Sequence, residues 1–471
     1  MHRQTKIVCT IGPKSNTREM IDKLIGAGMD VARLNFSHGT HDTHRAIYNI
    51  LRERAEAWGR PLAILQDLQG PKIRLGVLLP GRPTVMPDGE TIILSMDPND
   101  QRPNAFPADY ENLTEDVKPG DPILLDDGNI VLDVLNVTPK EVTCRVVQGG
   151  VLRSKVGMHL PQSRVSTPIL SDKDIADLKF GLELGVDYIA LSFVRNAADV
   201  RTARKLIGAE EPHIIAKIET PEGLHRLDEI LEVADGIMVA RGDLGVELAP
   251  EKVPVAQKHM IDLANDARKP VIVATQMLET MVENMRPTRA EASDVANAVF
   301  DGADAVMLSG ETANGQHPIR TVEMMASIIR EVEGSPRYWQ SRRALSAGDQ
   351  NYANAIARAA VAAQAELGLS LIAAHTMTGY SARLISSYRP KARIVALTPS
   401  KGTERRMNLY WGVLPLPLVD VENTDELIKQ LETVLVKRGL VAAGQAIVIC
   451  SNIPAVSQHN TNFLKLHRIA S

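Results

Sequence analysis

Short apolar runs rich in β-branched residues recur along the first two thirds of the chain, and stretches with helical spacing lie between most of them. The runs are Lys6–Ile11, Val31–Phe36, Leu62–Leu68, Tyr188–Phe193, Ile214–Glu219, Ile237–Arg241, Val271–Thr275 and Ala305–Leu308. Among the helical stretches are Arg18–Ala27, closed by Gly28, and Asp172–Gly185, with Ile175, Leu178, Leu182 and Leu184 on its apolar side. Eight strands alternating with helices predict a (β/α)8 TIM barrel more naturally than an open sheet. Chemistry in such a barrel gathers at the carboxyl ends of the strands, and Asn35, Ser37, Asp67, Glu219, Asp243 and Thr275 all fall at that edge.

One connection breaks the rhythm. About a hundred residues separate the third run from the fourth, where a dozen or two would do. The segment is rich in Pro, Gly and Asp, and its alternating runs Thr91–Met96, Ile130–Val137 and Val142–Val147 predict short antiparallel strands. Residues 71–168 are therefore expected to form a small all-β, barrel-like domain. Because it leaves from the catalytic end of strand three, it is placed to act as a lid. After Gly334-Ser335-Pro336 the pattern changes again, to a helix over Ala353–Leu367 and strands at Ser370–His375, Arg393–Leu397, Val413–Leu416 and Ala446–Cys450. The expected plan is a barrel from residues 1–70 and 169–345, the lid over 71–168, and a C-terminal α/β open-sheet domain over 346–471. In that last domain, Thr376-Met377-Thr378-Gly379-Tyr380-Ser381 follows the first strand and starts a helix. Its hydroxyls and free amides fit a phosphate cradle, and equally a plain capped turn.

The densest chemistry lies in Lys217-Ile218-Glu219-Thr220 and Arg241-Gly242-Asp243-Leu244. Period-two spacing puts Lys217 and Glu219 on one face of a strand, and Asp243 closes the next one. Two carboxylates beside a fixed ammonium suit a hard divalent cation, Mg²⁺ first and Mn²⁺ as its substitute. The competing interpretation is an ordinary ion-pair network around a buried lysine. Composition removes other classes of function. A net charge of −4 with scattered charges, and only 4% aromatic residues, give no nucleic-acid surface. No uncharged apolar run approaches the roughly twenty residues of a membrane span, and the amino terminus enters a strand-like run without a signal-peptide pattern. Three distant cysteines, Cys9, Cys144 and Cys450, fit buried apolar positions in a reducing, cytoplasmic setting.

Six segments in order carry a family resemblance over essentially the whole chain. They are Val31–Gly39 (VARLNFSHG), Asp67–Arg74 (DLQGPKIR), Ala216–Thr220 (AKIET), Val239–Gly245 (VARGDLG), Ala274–Glu279 (ATQMLE) and Pro287–Glu291 (PTRAE). The chain resembles the pyruvate kinases, whose domain plan is the one inferred above. The resemblance implies Mg²⁺-dependent phosphoryl transfer from phosphoenolpyruvate to ADP, in a glycolytic enzyme that is usually an allosteric homotetramer. It implies that Glu219 and Asp243 hold the metal, that Lys217 and Arg33 hold the moving phosphoryl group, and that amides of Gly242 and Asp243 bind the substrate carboxylate. Thr275 matches the family threonine that helps deliver a proton to the enolate carbon. Nucleotide would meet Asn35, Ser37, His38 and Arg74. A lysine of the β domain often joins them, but here valine (Val156) takes its position and Lys155 stands next to it. His38 reads equally well as a helix-capping or packing histidine.

Two departures change the expected mechanism. Many members bind K⁺ at positions matching Asn35, Ser37, Asp67 and the carbonyl of Leu68, with glutamate at the position of Lys72 and threonine at that of Leu68. The Lys72 ammonium is expected to replace that cation, because two unit charges about 4 Å apart repel by roughly 4 kcal/mol at an effective dielectric of about 20. K⁺ should then not be required. Members that respond to a sugar bisphosphate tend to have a glycine-rich loop near the end, whereas Ser451–Gln458 contains no glycine. That leaves a sugar monophosphate or a nucleotide as the expected effector at Thr376, Thr378, Gly379 and Ser381. Two other classes compete: a Mg²⁺-dependent aldolase or lyase, which would lack the insert and the C-terminal domain, and a catalytically silent sensor.

Overall fold

The computed structural model describes residues 3–79, 84–208, 212–340, 351–419, 423–452 and 461–470. All eight expected strands close into one parallel barrel, each paired with its successor in sequence and the last, Ala305–Leu308, paired with the first, Lys6–Thr10. Alternation along the strands produces two cores. Ile7, Cys9, Ala32 and Ile64 face the surrounding helices, while Val8, Val31, Ala63 and Leu65 belong to the barrel centre. The helices start and stop where their caps predict. Thr17 accepts the Met20 amide before Arg18–Ala27, and Gly28 ends that helix at φ +126°. Ser171 and Asp174 form a reciprocal capping box before Asp172–Leu184, and Gly185 closes it in the left-handed conformation.

Several strands are shorter than expected at their carboxyl ends, and the physical reasons bear on the site. The fourth stops at Leu191, ahead of Phe193 at φ +57°, and the seventh at Ala274, ahead of Thr275 at φ +67°. The sixth stops at Ala240, because Arg241 already opens the helix Arg241–Glu247.

The insert has its own apolar core, with Leu94, Phe106, Leu132 and Val146 among its members. Its seven-stranded sheet is antiparallel except where Thr91–Ser95 runs beside Ala105–Asp109. The sheet's two ends approach through a bridge between Arg74 and Gly157, so it curls as a barrel-like domain should. The C-terminal domain carries a five-stranded sheet. Four strands are parallel and match the expected ones, and Phe463–Arg468 adds an antiparallel edge strand that its mixed charged sequence had hidden. This domain docks on the amino-terminal face of the barrel. The Lys6 ammonium donates to the Val413 carbonyl at 2.7 Å, Arg405 pairs with Asp187 at 2.7 Å, and Arg389 pairs with Asp304 at 2.8 Å. It thus lies opposite the catalytic edge. The expected boundary at residue 345 and most of the glycine-free stretch Ser451–Gln458 lie outside the described residues. Cys9, Cys144 and Cys450 are buried and unpaired, as expected, and burial pushes the Cys144 and Cys450 thiols up to about 12.

Candidate active site

Lys217 stands at the centre of the carboxyl-terminal edge, 9% exposed. Its ammonium lies 3.2 Å from Asp67 Oδ1 and 3.0 Å from Glu219 Oε1, and donates to Ser192 Oγ at 2.6 Å. Burial works against its charge, but the carboxylates of Asp67 and Glu219 outweigh burial and raise its pKa. Asp67 is shared. Its other oxygen accepts Arg33 Nε at 2.6 Å, and Arg33 Nη1 reaches Thr10 Oγ1 at 2.9 Å. Burial would push the Asp67 carboxyl up, yet Lys217 and Arg33 hold it below its ordinary range. Around Asp67 the result is two cations fixed by one buried anion, both placed to meet an incoming phosphate, with Glu219 as the second carboxylate on Lys217.

Glu219 is 1% exposed, just past the end of the strand His213–Ile218. Oε2 accepts the Phe193 amide at 2.7 Å, which requires the left-handed turn at Phe193. Burial pushes this carboxyl up to about 7; the Lys217 charge opposes that rise and Asp243 adds to it. Such a carboxylate lacks sufficient counter-charge, as a metal ligand should before its ion arrives. Asp243 lies in the first turn of the helix Arg241–Glu247 and has no ion-pair partner among the described residues. Among the described residues no three acidic, His or Cys side chains are arranged to hold a metal ion by themselves. Two carboxylates nevertheless fit Mg²⁺, which typically takes one or two from protein and the rest from water and substrate phosphates.

The opposite wall is strained. Thr275 and Gln276 both have positive φ, at +67° and +53°. A β-branched residue there costs about 1–2 kcal/mol and persists only when its surroundings over-determine it. Thr275 Oγ1 donates to the Ala274 carbonyl at 2.6 Å and accepts the Gly242 amide at 2.8 Å. Of the two amides expected to meet a substrate carboxylate, that of Gly242 is therefore held by Thr275 here.

The remaining expected residues divide. Asn35 stands opposite Asp67 in strand register, and its Oδ1 accepts the Ser37 amide at 3.1 Å. His38 is exposed, and its carbonyl meets the His44 ring at 2.9 Å; the packing histidine is His44, stacked on Phe36 at 4.0 Å. Arg74 reaches across to the Lys155 carbonyl at 3.0 Å, while Val156 is buried in the insert's core and Lys155 is exposed beside it. Leu68 offers its carbonyl to Ser192 Oγ at 2.8 Å. Lys72 is exposed and not within ion-pair distance of Asp67, whose oxygens go to Arg33 and Lys217. It lines instead the cleft between Asp127 of the insert and Gly242–Asp243 of the barrel. In the C-terminal loop, Thr376 Oγ1 accepts the Gly379 amide at 3.0 Å, Thr378 Oγ1 faces the Tyr380 amide at 3.4 Å, and Ser381 meets Thr461. Those hydroxyls are engaged within the domain, and the helix Tyr380–Ser387 starts at a left-handed Gly379 that has no side-chain cap.

Sequence reasoning missed Thr10, Ser192 and Arg241. The first two sit at strand ends, where the edge rule that found Asp67 would also have found them. Gly70 beside them is required, since at φ +72° an added Cβ would lie 2.7 Å from Ser192 Cβ.

Comparisons with known proteins place the fold in a family. A family model described as pyruvate kinase, barrel domain, matches residues 2–322, and one described as pyruvate kinase, alpha/beta domain, matches residues 354–467. Proteins named pyruvate kinase from Staphylococcus aureus strains MRSA252 and USA300 are each 44% identical over 475 residues, covering 99% of this chain and 80% of theirs. A crystal structure of a pyruvate kinase from Cryptosporidium parvum superposes with a TM-score of 0.92 at 37% identity, covering 99% of this chain and 96% of that one. Fold, edge chemistry and relatives converge: the chain belongs to the pyruvate kinase family.

Proposed function

We propose that this chain transfers the phosphoryl group of phosphoenolpyruvate to ADP, giving pyruvate and ATP, with Mg²⁺ held by Glu219 and Asp243. The observation that carries this is the buried Arg33–Asp67–Lys217–Glu219 array facing Thr275 and Gly242 across the cleft. Arg33 and Lys217 bind and orient the phosphoryl group, and their charge offsets what accumulates on its oxygens in transfer. Mg²⁺ held by Glu219 and Asp243 would neutralise negative charge during the transfer. The amides of Gly242 and Asp243 hold the substrate carboxylate, which requires Thr275 Oγ1 to release the Gly242 amide. The Thr275 hydroxyl then turns its proton from the Ala274 carbonyl toward the substrate and helps pass a proton to the enol carbon. Nucleotide lies between Asn35–His38 of the barrel and Arg74 of the insert, which closes over it and excludes water. The test is pyruvate formation from phosphoenolpyruvate and ADP with Mg²⁺. No turnover by folded protein, with effectors supplied, would overturn the assignment.

Lys72 supplies the monovalent charge in this scheme. It stands on the segment leading into the insert, exposed to the cleft, so lid closure would carry its ammonium toward Asn35, Ser37 and Asp67. Replacing potassium by tetramethylammonium should leave the rate unchanged, and Lys72→Glu should create a potassium requirement. A tenfold or greater loss in the parent enzyme without potassium would refute this role. A sugar monophosphate or nucleotide at Thr376–Ser381 would have to exchange the internal bonds of that loop for bonds to phosphate. Titrating such compounds against the substrate curve of Thr378→Ala/Ser381→Ala decides it. A response equal to the parent's assigns the loop a purely structural role. The assembly is expected to be a homotetramer, as is usual in the family.

A further inference from the structure

Arg241 has no part in the scheme above, yet its side chain is only 10% exposed and turns Nε and Nη2 of its guanidinium to the turn that carries Thr275. Nε donates to the Ala274 carbonyl at 3.3 Å, and Nη2 donates to the Thr275 carbonyl at 2.6 Å and the Gln276 carbonyl at 3.2 Å. Three successive carbonyls can converge on one group only because Thr275 and Gln276 are both left-handed. The fork is itself braced from behind by Asp294 and by Gln257 Oε1 at 3.5 Å. Arg241 also begins the helix that carries Gly242 and Asp243, so one residue ties the Thr275 turn to the carboxylate- and metal-binding turn.

We propose that Arg241 is a positioning residue for proton delivery: its guanidinium holds Thr275 in the left-handed conformation that keeps its hydroxyl beside the Gly242 amide. This rests on the role given to Thr275 in the proposed function. A planar fork is needed, because a lysine ammonium at this place is a compact point charge that cannot span three carbonyls in fixed directions. Without it the turn relaxes toward ordinary φ, and the Thr275 hydroxyl loses the place from which it reaches the substrate carbon.

The test reads proton transfer separately from phosphoryl transfer. Exchange of the pyruvate methyl hydrogens into deuterated water, followed by proton NMR in the presence of Mg²⁺ and ATP, is measured for the parent, Arg241→Lys, Thr275→Ala and the double variant. Arg241→Lys is expected to slow exchange at least tenfold, while Mn²⁺ affinity read by electron paramagnetic resonance changes less than twofold. In the Thr275→Ala background the same substitution should have almost no further effect, since residues acting through one another are not additive. An equal fall in both backgrounds overturns the proposal, as does an Arg241→Lys enzyme with parental exchange. Should Arg241→Lys fail to fold, Asp294→Asn removes the brace alone and is held to the same comparison. A Thr275→Ala enzyme with parental exchange would instead refute the role of Thr275, and a parent without turnover would refute the kinase assignment.

Discussion

Lys217→Met is expected to lower kcat/KM for phosphoenolpyruvate by about 10²–10³, as removal of a preorganised donor from a water-poor site generally does. The ammonium is the one group in contact with Asp67, Glu219 and Ser192 together, and its length fixes where positive charge meets the moving phosphoryl group. Methionine matches its volume, so the loss isolates charge from packing. The same change should also weaken the fold, because it leaves two buried carboxylates facing each other without their shared cation. Breaking a buried pair by removing one partner costs about 3–5 kcal/mol. Melting followed by circular dichroism should therefore drop together with activity, and rates must be taken well below the lowered midpoint. A variant that keeps more than a tenth of parental kcat/KM would refute the central role of Lys217.

How much of this arrangement was legible in the sequence follows from what each residue depends on. The barrel could be read because its strands repeat a local pattern, and all eight appear within a residue or two of their expected bounds. Glu219, Asp243 and Lys217 could be read because period-two spacing and strand ends fix them before any tertiary contact is known. Thr275 was found by position, but its strain was invisible, since a positive φ at a threonine contradicts every local preference and is imposed by distant groups such as Arg241 and Gly242. The same holds for Phe193, whose left-handed turn offers Glu219 an amide. Lys72 shows the limit from the other side. Its match to a family position suggested a place beside Asp67, whose two oxygens here go to Arg33 from the neighbouring strand and to Lys217. Only the register of the second and third barrel strands reveals the competition. The insert and the C-terminal domain, both legible as composition shifts, also set aside the aldolase and lyase alternative, which would carry neither.

Removing the metal, or one of its ligands, should abolish turnover without unfolding the protein, in contrast to the loss of Lys217. Glu219→Gln keeps the shape of the side chain and can still accept the Phe193 amide through its remaining oxygen. It removes one of the two carboxylates on Lys217, but Asp67 stays paired with that ammonium, so the fold should lose less than when Lys217 itself is removed. The metal, however, loses the ligand that is fixed most firmly, and Asp243 alone, in a partly exposed helical turn, cannot orient it. Mn²⁺ affinity measured by electron paramagnetic resonance should weaken at least tenfold, and turnover should fall by about 10² or more, the scale of losing one preorganised charge-stabilising group. Stripping the parent with a chelator should mimic this reversibly, with activity returning on added Mg²⁺ or Mn²⁺. Asp243→Asn should have a smaller effect on stability than any change at Asp67, because Asp243 has no buried cation depending on it. If Glu219→Gln binds Mn²⁺ and turns over like the parent, the divalent ion sits elsewhere, and the buried carboxylate serves only to balance Lys217.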